Sequence, residues 1–455
     1  MRQVRYLNYK TTTSTWLASI PEHWEEKRLK DVATYNDESL DEKTDPDFEI
    51  EYVDISSVSL AQGIEQTELL DFEKAPSRAR RKVKHGDIII STVRTYLKAI
   101  APIINPPHNM IVSTGFAVIR PHSRLDSRFA GYMLQSNGFV GDVVANSVGV
   151  SYPAINASDL ARLPFAEPPL PEQRRISDFL DHKTAQIDAL IAKKQALLEK
   201  LAEQRTALIS QAVTKGLDPS VPMKNSGVEW LGEIPAHWKV IPIKFSLDMP
   251  ITDGPHSTPQ FYNEGIPFIS AEAVKNDQLD FTKMRGYISK EDHELFSKKY
   301  KPKHGDVYMV KSGATTGAVA RVETHQEFNI WSPLAVLRPH PEKSLTDYIF
   351  YILKSKPFFY SVELSWSYGT QQNIGMGVIS NIRIALPPID EQRDICKYLE
   401  LHLKKIGCQR SKINSVIERL HEYRAALITN AVTGKIDVRD FRLPTTTEQR
   451  ELAHG

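Results

Sequence analysis

The chain has 455 residues, of which 41% are hydrophobic and 25% are charged, and its formal net charge is +1. This length exceeds what one hydrophobic core normally serves, so we expect two or more domains. The composition is ordinary for a soluble globular protein. The net charge neither indicates nor excludes nucleic-acid binding, because binding depends on local patches of charge.

The cysteines and the apolar runs bear on the location of the protein. No stretch reaches the length of a membrane span, and the first residues lack the apolar core of a signal peptide. Cys396 and Cys408 lie in one helical-looking segment, about 18 Å apart at the rise of a helix. That distance is too long for a disulfide bond. A reducing, cytoplasmic location is therefore expected.

An internal repeat is the most informative feature of the sequence. Five motifs recur in the same order: 16–24 as 230–238, 84–87 as 303–306, 117–122 as 335–340, 168–174 as 387–393, and 207–214 as 426–433. Chance explains one such match but not five in register. The repeat therefore indicates a duplicated unit, and its period is far longer than that of a solenoid.

Each copy consists of a globular part followed by a long helix. The globular parts contain short strand-like runs, such as 87–90 and 306–310, separated by turns with glycine and proline. The helices carry residues spaced seven apart, which is typical of a coiled coil. These positions are Leu180, Ile187, Lys194, Leu201 and Leu208 in the first helix, and Leu399, Ile406, Ile413, Leu420 and Leu427 in the second.

Three arrangements of the helices are compatible with this pattern. Each helix could pack on its own domain, but two matched stripes favour packing of the helices on each other. In a parallel pair, residues 216–229 would have to run back along the whole helix. Such a segment reaches about 45–50 Å only when fully taut. We therefore favour an antiparallel pair, which would place the two domains at opposite ends of a rod.

The predicted fold class is α+β, with two homologous mixed α/β domains joined by two long helices that form an antiparallel coiled coil with a pseudo-twofold axis. The predicted organisation is a first domain over 1–170, a helix over 171–215, a linker over 216–229, a second domain over 230–388, a helix over 389–434 and a tail over 435–455.

Basic side chains form a run in each globular part, and aromatic and amide side chains suited to DNA contacts occur in the same run or further along the chain. Lysine and arginine neutralise phosphates, and arginine and amide side chains suit guanine and adenine edges. The first candidates for DNA binding are Arg78, Arg80, Arg81, Lys82, Arg94, Tyr96, Lys98 and Tyr152. The second set is Lys298, Lys299, Lys311, Ser312, Thr315, Thr316, Gln371, Gln372 and Asn373. The alternative interpretation is a solvated basic surface with turn residues.

The sequence carries no recognisable catalytic motif. Residues 105–108, Asn-Pro-Pro-His, resemble a tetrapeptide of amino-methyltransferases. Histidine replaces its aromatic residue, however, and no glycine-rich loop precedes it, so we interpret the segment as a turn. Residues 312–317 lack the ending of a P-loop. The histidines and cysteines show no metal spacing. We expect no catalytic residue, no metal and no cofactor.

The repeated motifs resemble those of the specificity subunits of type I restriction–modification systems, over nearly the whole chain. The resemblance is carried by residues 230–238, 84–87 and 168–174 together with their copies. It implies a DNA-binding subunit without an active site, in which 16–170 and 230–388 are target-recognition domains that each read half of a split site. It also implies that the helices form a spacer.

The same resemblance implies the partners, which are double-stranded DNA, two methyltransferase subunits and, through them, ATP-dependent restriction subunits. Two other functions stay open on the sequence alone. One is a protein–protein scaffold without DNA contact, and the other is a self-sufficient nuclease or methyltransferase.

Overall fold

The computed structural model describes residues 5–60, 62–364 and 373–443. The chain forms two compact units. The first contains the described residues of 1–194 and 415–455, and the second contains those of 195–414. Within the described ranges, no helix combines the length and apolar character needed to cross a membrane.

The first unit is a mixed structure of short strands and helices. Its strands are β1 (Tyr9–Thr11), β2 (Ser19–Pro21), β3 (Glu25–Arg28), β4 (Ala33–Tyr35), β5 (Glu49–Val53), β6 (Val58–Ser59), β7 (Gly63–Ile64), β8 (Glu68–Asp71), β9 (Ala79–Lys82), β10 (Ile88–Ser91), β11 (Ile100–Pro102), β12 (Met110–Ser113), β13 (Phe116–Pro121) and β14 (Pro164–Glu167). Its helices are α1 (Leu29–Val32), α2 (Ser127–Gln135), α3 (Asn137–Ala145), α4 (Ala157–Leu160) and the start of the long helix α5 (Leu170–Lys215).

Two sheets and a layer of helices make up the core of the first unit. The central sheet has the antiparallel order β11-β10-β13-β4, and the second sheet has the order β8-β5-β12-β9, in which β5 and β12 are parallel. Side chains alternate between the faces of a strand. Ile88 and Ile90 therefore pack with the helices, whereas Ile89 packs against the second sheet. Burial on both faces explains why β10 is a continuous apolar run.

The second unit is built from the same kinds of element. Its strands are β15 (Met223–Asn225), β16 (Glu233–Pro235), β17 (Lys239–Pro242), β18 (Thr252–Asp253), β19 (Ile266–Ile269), β20 (Val274–Lys275), β21 (Gln278–Leu279), β22 (Gly286–Ile288), β23 (Val307–Val310), β24 (Val319–Arg321), β25 (Asn329–Ile330), β26 (Leu334–Leu337) and β27 (Arg383–Leu386). Its helices are α6 (Lys290–Ser297), α7 (Thr346–Leu353), α8 (Lys356–Glu363), α9 (Met376–Asn381) and the long helix α10 (Ile389–Val432), whose end belongs to the first unit.

The central sheets of the two units correspond strand by strand, and the other sheets share three strands, since β9 of the first unit has no counterpart among the described strands of the second sheet. The central sheet of the second unit has the order β24-β23-β26-β18, and its other sheet has the order β22-β19-β25 with β19 and β25 parallel. Val307 and Met309 pack with the helices, whereas Tyr308 and Val310 pack against the other sheet. The repeat in the sequence is therefore a repeat of fold, and the prediction of two homologous mixed α/β domains is confirmed.

The long helices pair within each unit. In the first unit, Asp188 of α5 accepts a hydrogen bond from Arg424 of α10 at 2.9 Å. In the second unit, Ile209 near the end of α5 shares a hydrophobic core with Leu399 near the start of α10. The beginning of each helix thus lies beside the end of the other, and the predicted antiparallel pairing is confirmed.

The segment 216–229, which the sequence indicated as a linker, contributes structure of its own. Its strand β15 pairs with β16 in the second unit. In the first unit β1 pairs with β2 in the same way. Each of these small sheets precedes the His-Trp pair that the two copies share.

A buried carboxylate explains why that His-Trp pair recurs. Glu172, in the first turn of α5, is 6% exposed. It accepts hydrogen bonds from the Tyr6 hydroxyl at 2.6 Å and the Trp24 indole at 3.0 Å, and it bonds to His23 Nε2 at 2.8 Å. Burial and the carboxylate together raise the pKa of the Tyr6 hydroxyl. In the second copy Glu391 makes the corresponding bonds to its histidine and tryptophan at 2.8 and 3.0 Å.

The neighbouring glutamine ties the start of each helix to the loop before α2 or α7. Gln173 accepts a hydrogen bond from the N–H of Asp126 at 2.8 Å and donates to the carbonyl oxygen of Pro168 at 2.7 Å. Gln392 accepts from the N–H of Leu345 at 3.0 Å and donates to the carbonyl of the matching proline at 3.0 Å. The Glu-Gln pair is therefore the joint between each domain and its helix.

The repeated Lys-His-Gly-Asp motif is a second anchor of the fold. Asp87 is buried and accepts hydrogen bonds from the N–H of Lys84 and from Arg120, all at 2.8 Å. Asp306 accepts from Arg338 at 2.7 and 2.8 Å. The glycine before each aspartate has a φ of +90° in both copies, a conformation that favours glycine. The histidine in the motif therefore precedes a turn and a strand.

Replacing Glu172 by alanine tests the joint between the first domain and its helix. The change leaves buried hydroxyl and indole groups without an acceptor, so we expect a loss of about 3 kcal/mol in the free energy of unfolding. Urea unfolding measures it, with Glu199→Ala, an exposed position of the same helix, as the matched control. Equal and small losses in the two variants would contradict this role.

The reactivity of the two cysteine thiols tests which face of α10 is covered by the rest of the protein. Cys396 is buried, and burial raises the pKa of its thiol to about 12. At pH 8 its thiolate fraction is then about one in ten thousand, whereas Cys408 is exposed. We expect one fast-reacting thiol per folded chain with a disulfide reagent, lost in Cys408→Ser and kept in Cys396→Ser. Rapid reaction of both thiols would show that α10 is packed otherwise.

Candidate nucleic-acid interface

In each unit one strand of the central sheet, β10 or β23, is followed by a loop. The segment before α4 or α9 forms hydrogen bonds with that loop. In the first unit the carbonyl of Thr92 accepts a hydrogen bond from the N–H of Ile155 at 2.8 Å. In the second unit the carbonyl of Lys311 accepts from the N–H of Ile374 at 2.8 Å, and Ser312 forms a backbone bridge with Asn373. The loops 92–98 and 311–317 are thus equivalent, and we call them the reading loops.

The reading loop of the first unit brings four predicted residues together. The guanidinium of Arg94 lies over the ring of Tyr152, 5.1 Å from its centroid. Tyr96 and Lys98 follow in the same loop and are exposed. Arg94 and Lys98 have φ values of +52° and +53°, which cost about 1 kcal/mol or more each in residues other than glycine. A loop held in this conformation presents cations and aromatic rings in fixed positions.

Strand β9 separates the remaining basic candidates of the first unit. The carbonyl of Arg78 accepts a hydrogen bond from the N–H of Thr114 at 2.7 Å, next to the edge where Thr92 bonds to Gly115. Lys82, at the other end of β9, pairs with Ile111 further along β12. One end of the strand therefore approaches the reading loop, and the other end leads away from it.

The side chains of β9, and of Arg78 just before it, also have structural partners. Arg78 donates a hydrogen bond to Asp54 at 2.9 Å. Arg80 lies 4.6 Å from the centroid of the Phe72 ring. Arg81 donates to the Ser39 hydroxyl at 3.3 Å, and burial lowers its pKa. The run of basic residues in the sequence is therefore not one continuous cationic surface.

In the second unit, two predicted lysines converge on a buried carboxylate. Asp253 is fully buried, and its Oδ1 lies 2.5 Å from Lys299 Nζ while its Oδ2 lies 3.4 Å from Lys311 Nζ. An uncompensated carboxylate at such a position costs several kcal/mol. The charges of Lys299 and Lys311 therefore neutralise Asp253, whereas Lys298, at the end of α6, is exposed.

The polar residues of the second reading loop lie at its surface. Thr315 is exposed, and the Thr316 hydroxyl donates a hydrogen bond to the carbonyl of Gly313 at 2.7 Å. Ser312 lies beside the exposed Asn373 through the backbone bridge. The predicted residues Gln371 and Gln372 lie outside the described residues.

The segments that could have carried a metal or a catalytic group have other roles in the fold. Over the ranges that the structure describes, no three histidine, cysteine or acidic side chains are grouped as metal ligands. The Asn-Pro-Pro-His segment begins at Asn105, whose φ is +46°. Its N–H donates a hydrogen bond to His85 Nδ1 at 3.1 Å. The segment is thus a turn, as the sequence indicated.

Two features of these surfaces were not predicted from the sequence. Asp253 has no repeated counterpart in the aligned motifs, so nothing in the sequence linked it to distant lysines. Val148 and Val150 are highly exposed beside Tyr152. A glycine between two valines outside any strand pattern is the signal that could have drawn attention to them.

The chain is similar to known proteins along most of its length. A family model described as the type I restriction modification DNA specificity domain matches residues 21–200 and 254–419. The putative type I restriction enzyme MjaX specificity subunit of Methanocaldococcus jannaschii is 24% identical to this chain over 460 residues. These residues cover 95% of this chain and 97% of that protein.

Two further similarities agree with this match. The type I restriction enzyme EcoKI specificity subunit of Escherichia coli is 23% identical over 328 residues, covering 70% of this chain and 68% of that protein. A solved structure, from work on complex assembly and conformational transition of the type I R-M system, covers 91% of this chain and 98% of its own. Its TM-score is 0.67 at 24% identity, so it shares the fold.

Replacing Lys311 by alanine distinguishes a structural lysine from a DNA contact. Because the change removes one of the cations beside buried Asp253, we expect a loss of about 3 kcal/mol in the free energy of unfolding. Lys298→Ala, at an exposed position, should change it by less than about 0.5 kcal/mol. Urea unfolding measures both. A Lys311 variant of unchanged stability that binds DNA more weakly would assign this lysine to the interface instead.

Proposed function

The chain belongs to the family of type I restriction–modification DNA specificity proteins, and from this premise we propose that it reads a split site in double-stranded DNA with two target-recognition domains. The family model concerns DNA specificity, so sequence recognition is the role that membership carries. We assign the domains to 1–170 and 230–388, the spacer helices to 171–215 and 389–434, the linker to 216–229 and the tail to 435–455.

The equivalence of the two reading loops is the observation that supports this proposal most. Loops 92–98 and 311–317 follow the same strand of the same sheet in each unit. A protein with two homologous DNA-reading surfaces is suited to a site with two separated halves. The loops differ in composition: the first has two cations and one aromatic ring, whereas the second has small residues after Lys311. The two half-sites should therefore differ in sequence.

The side chains of the first reading loop and of Tyr152 suit two kinds of contact with DNA, one made by cations and one by aromatic rings. Arg94 and Lys98 would contact phosphates or guanine edges, and Tyr96 and Tyr152 would pack on sugars or bases. In the second, Ser312, Thr315, Thr316 and Asn373 would bond to base edges. Catalysis has no part in this proposal, because specificity subunits deliver a target to other subunits.

We further propose that two methyltransferase subunits dock on the long helices, and that restriction subunits join through them. Partly exposed apolar side chains interrupt the polar faces of these helices, and such side chains often mark protein interfaces. They are Leu190 and Leu197 in α5, and Leu401, Val416 and Tyr423 in α10.

Salt-dependent binding to duplex DNA tests the proposal. We expect the complex with its methyltransferase partner to bind random duplex DNA, with an affinity that falls steeply as salt rises. Lys98→Ala should make the slope of log K against log salt about 0.9 less steep, the value for one phosphate contact. Lys74→Ala is the matched control. Lys74 is exposed and follows strand β8, whose residue Asp71 pairs with Glu49. Glu49 begins β5, and Asp54 follows the opposite end of that strand.

Each alternative function predicts a different outcome. Absence of duplex binding by the assembled complex would favour a protein–protein scaffold without DNA contact. Methyl transfer by the purified chain alone would establish a self-sufficient methyltransferase and contradict the proposal.

A further inference from the structure

A narrow hairpin projects beside the first reading loop. The N–H of Val148 donates a hydrogen bond to the carbonyl of Ala154 at 2.8 Å, and the N–H of Ala154 donates back to Val148 at 3.0 Å. Between them Gly149 has a φ of +113°, which favours glycine. Val148 and Val150 are 81% and 102% exposed. Residues 148–154, which we call the valine hairpin, thus hold two apolar side chains out in solvent.

Hydrogen bonds and a side-chain contact attach the valine hairpin to the first reading loop. The hydroxyls of Thr95 and Ser147 are 2.8 Å apart and hydrogen-bonded. Val93 forms a backbone bridge with Ala154. The hairpin residue Tyr152 packs under Arg94. Any partner of the reading loop therefore meets the two valines at a set distance and orientation.

The neighbouring cations identify the chemistry of that partner. Exposed apolar clusters usually mark an interaction site. Here Arg94 and Lys98 supply two positive charges, and among the described residues neither forms an ion pair with a carboxylate. Positive charge beside aromatic rings suits a polyanion with apolar features, which describes duplex DNA. A purely apolar protein surface would leave both cations without a counterpart.

We propose that the valine hairpin enters the major groove of DNA and that Val148 and Val150 contact thymine methyl groups. This role rests on the proposed function and specifies the half-site of the first unit. The major groove admits a two-stranded β-ribbon, and the apolar group that base pairs present there is the C5-methyl of thymine. Valine is short and branched, unlike the Phe, Leu, Ile, Met and Pro wedges that unstack bases in the minor groove.

The valine hairpin is a feature of the first unit, and its role is assigned to that unit alone. In the second unit the segment before α9 lies outside the described residues, apart from 373–375. Recognition of thymine methyl groups by the valine hairpin therefore predicts that the first half-site contains at least one thymine whose methyl group contributes to binding.

Uracil substitution tests the contact with a change of one methyl group. The site is first determined by methylation sequencing of a host that expresses the complex. Each thymine of the site is then replaced by deoxyuridine in synthetic duplexes, and binding of the complex with its methyltransferase partner is measured. We expect one or two positions, all in one half-site, to lose about three- to tenfold in affinity, the scale of one buried methyl group.

Variants of the valines connect those positions to the hairpin. Val150→Ser and Val148→Ser change exposed side chains and should leave the fold intact. We expect each variant to bind thymine and uracil duplexes equally at one of the sensitive positions. Leu69→Ser is the matched control, because Leu69 is an exposed apolar residue of strand β8, and it should keep the full sensitivity to uracil.

The outcomes separate the role of the hairpin from the proposed function. Sequence-specific binding without sensitivity to uracil, or sensitivity that persists in both serine variants, would overturn the role of the valine hairpin and leave the function standing. Loss of complex assembly in the serine variants, with DNA binding intact in the fraction that assembles, would show that the hairpin contacts a protein partner instead. Absence of any duplex binding would overturn both proposals.

Discussion

A carboxylate in the first turn of each long helix, buried in Glu172 and partly buried in Glu391, is the interaction on which the rest of the structure depends. Glu172 and Glu391 accept hydrogen bonds from the indole groups of Trp24 and Trp238, which are themselves fully buried. Burying these groups is favourable only while each has its partner. The start of each helix is therefore locked to its own domain, and each reading loop keeps a fixed position relative to that start.

The sequence predicted the duplication, the long helices and their antiparallel pairing, and the structure explains why these features could be predicted. Each repeated motif is a fixed point of the fold: the Glu-Gln pair joins helix to domain, and the buried Asp87 and Asp306 pair with Arg120 and the arginine of the second copy. Such anchors tolerate few other residue types, so two copies of one fold show them in register. Heptad spacing adds the long-range pairing of the helices.

The candidate interface was harder to predict because charge in a sequence does not show its partners. The charges of Lys299 and Lys311 predict DNA contacts, and the sequence does not show that Asp253, distant in the chain, lies beside both. Arg94 and Tyr152 were each chosen singly, and the fold places one over the other. The exposed valines of 148–154 were not predicted, because their exposure arises from a tight turn and tertiary contacts that no periodic pattern encodes, and the glycine between them is the one local sign of that turn.

Lengthening both helices tests most directly the proposal that they act as the spacer for a split DNA site. Four residues inserted between Lys194 and Gln195, and four between Asn414 and Ser415, fall where the two units divide and add about 6 Å of helix. The sites methylated by the complex should then have a spacer longer by about one to two base pairs, with both half-sites unchanged. Replacing four residues at each place without insertion should leave the spacer as it is. An active complex with an unaltered spacer, or with altered half-sites, would contradict the account.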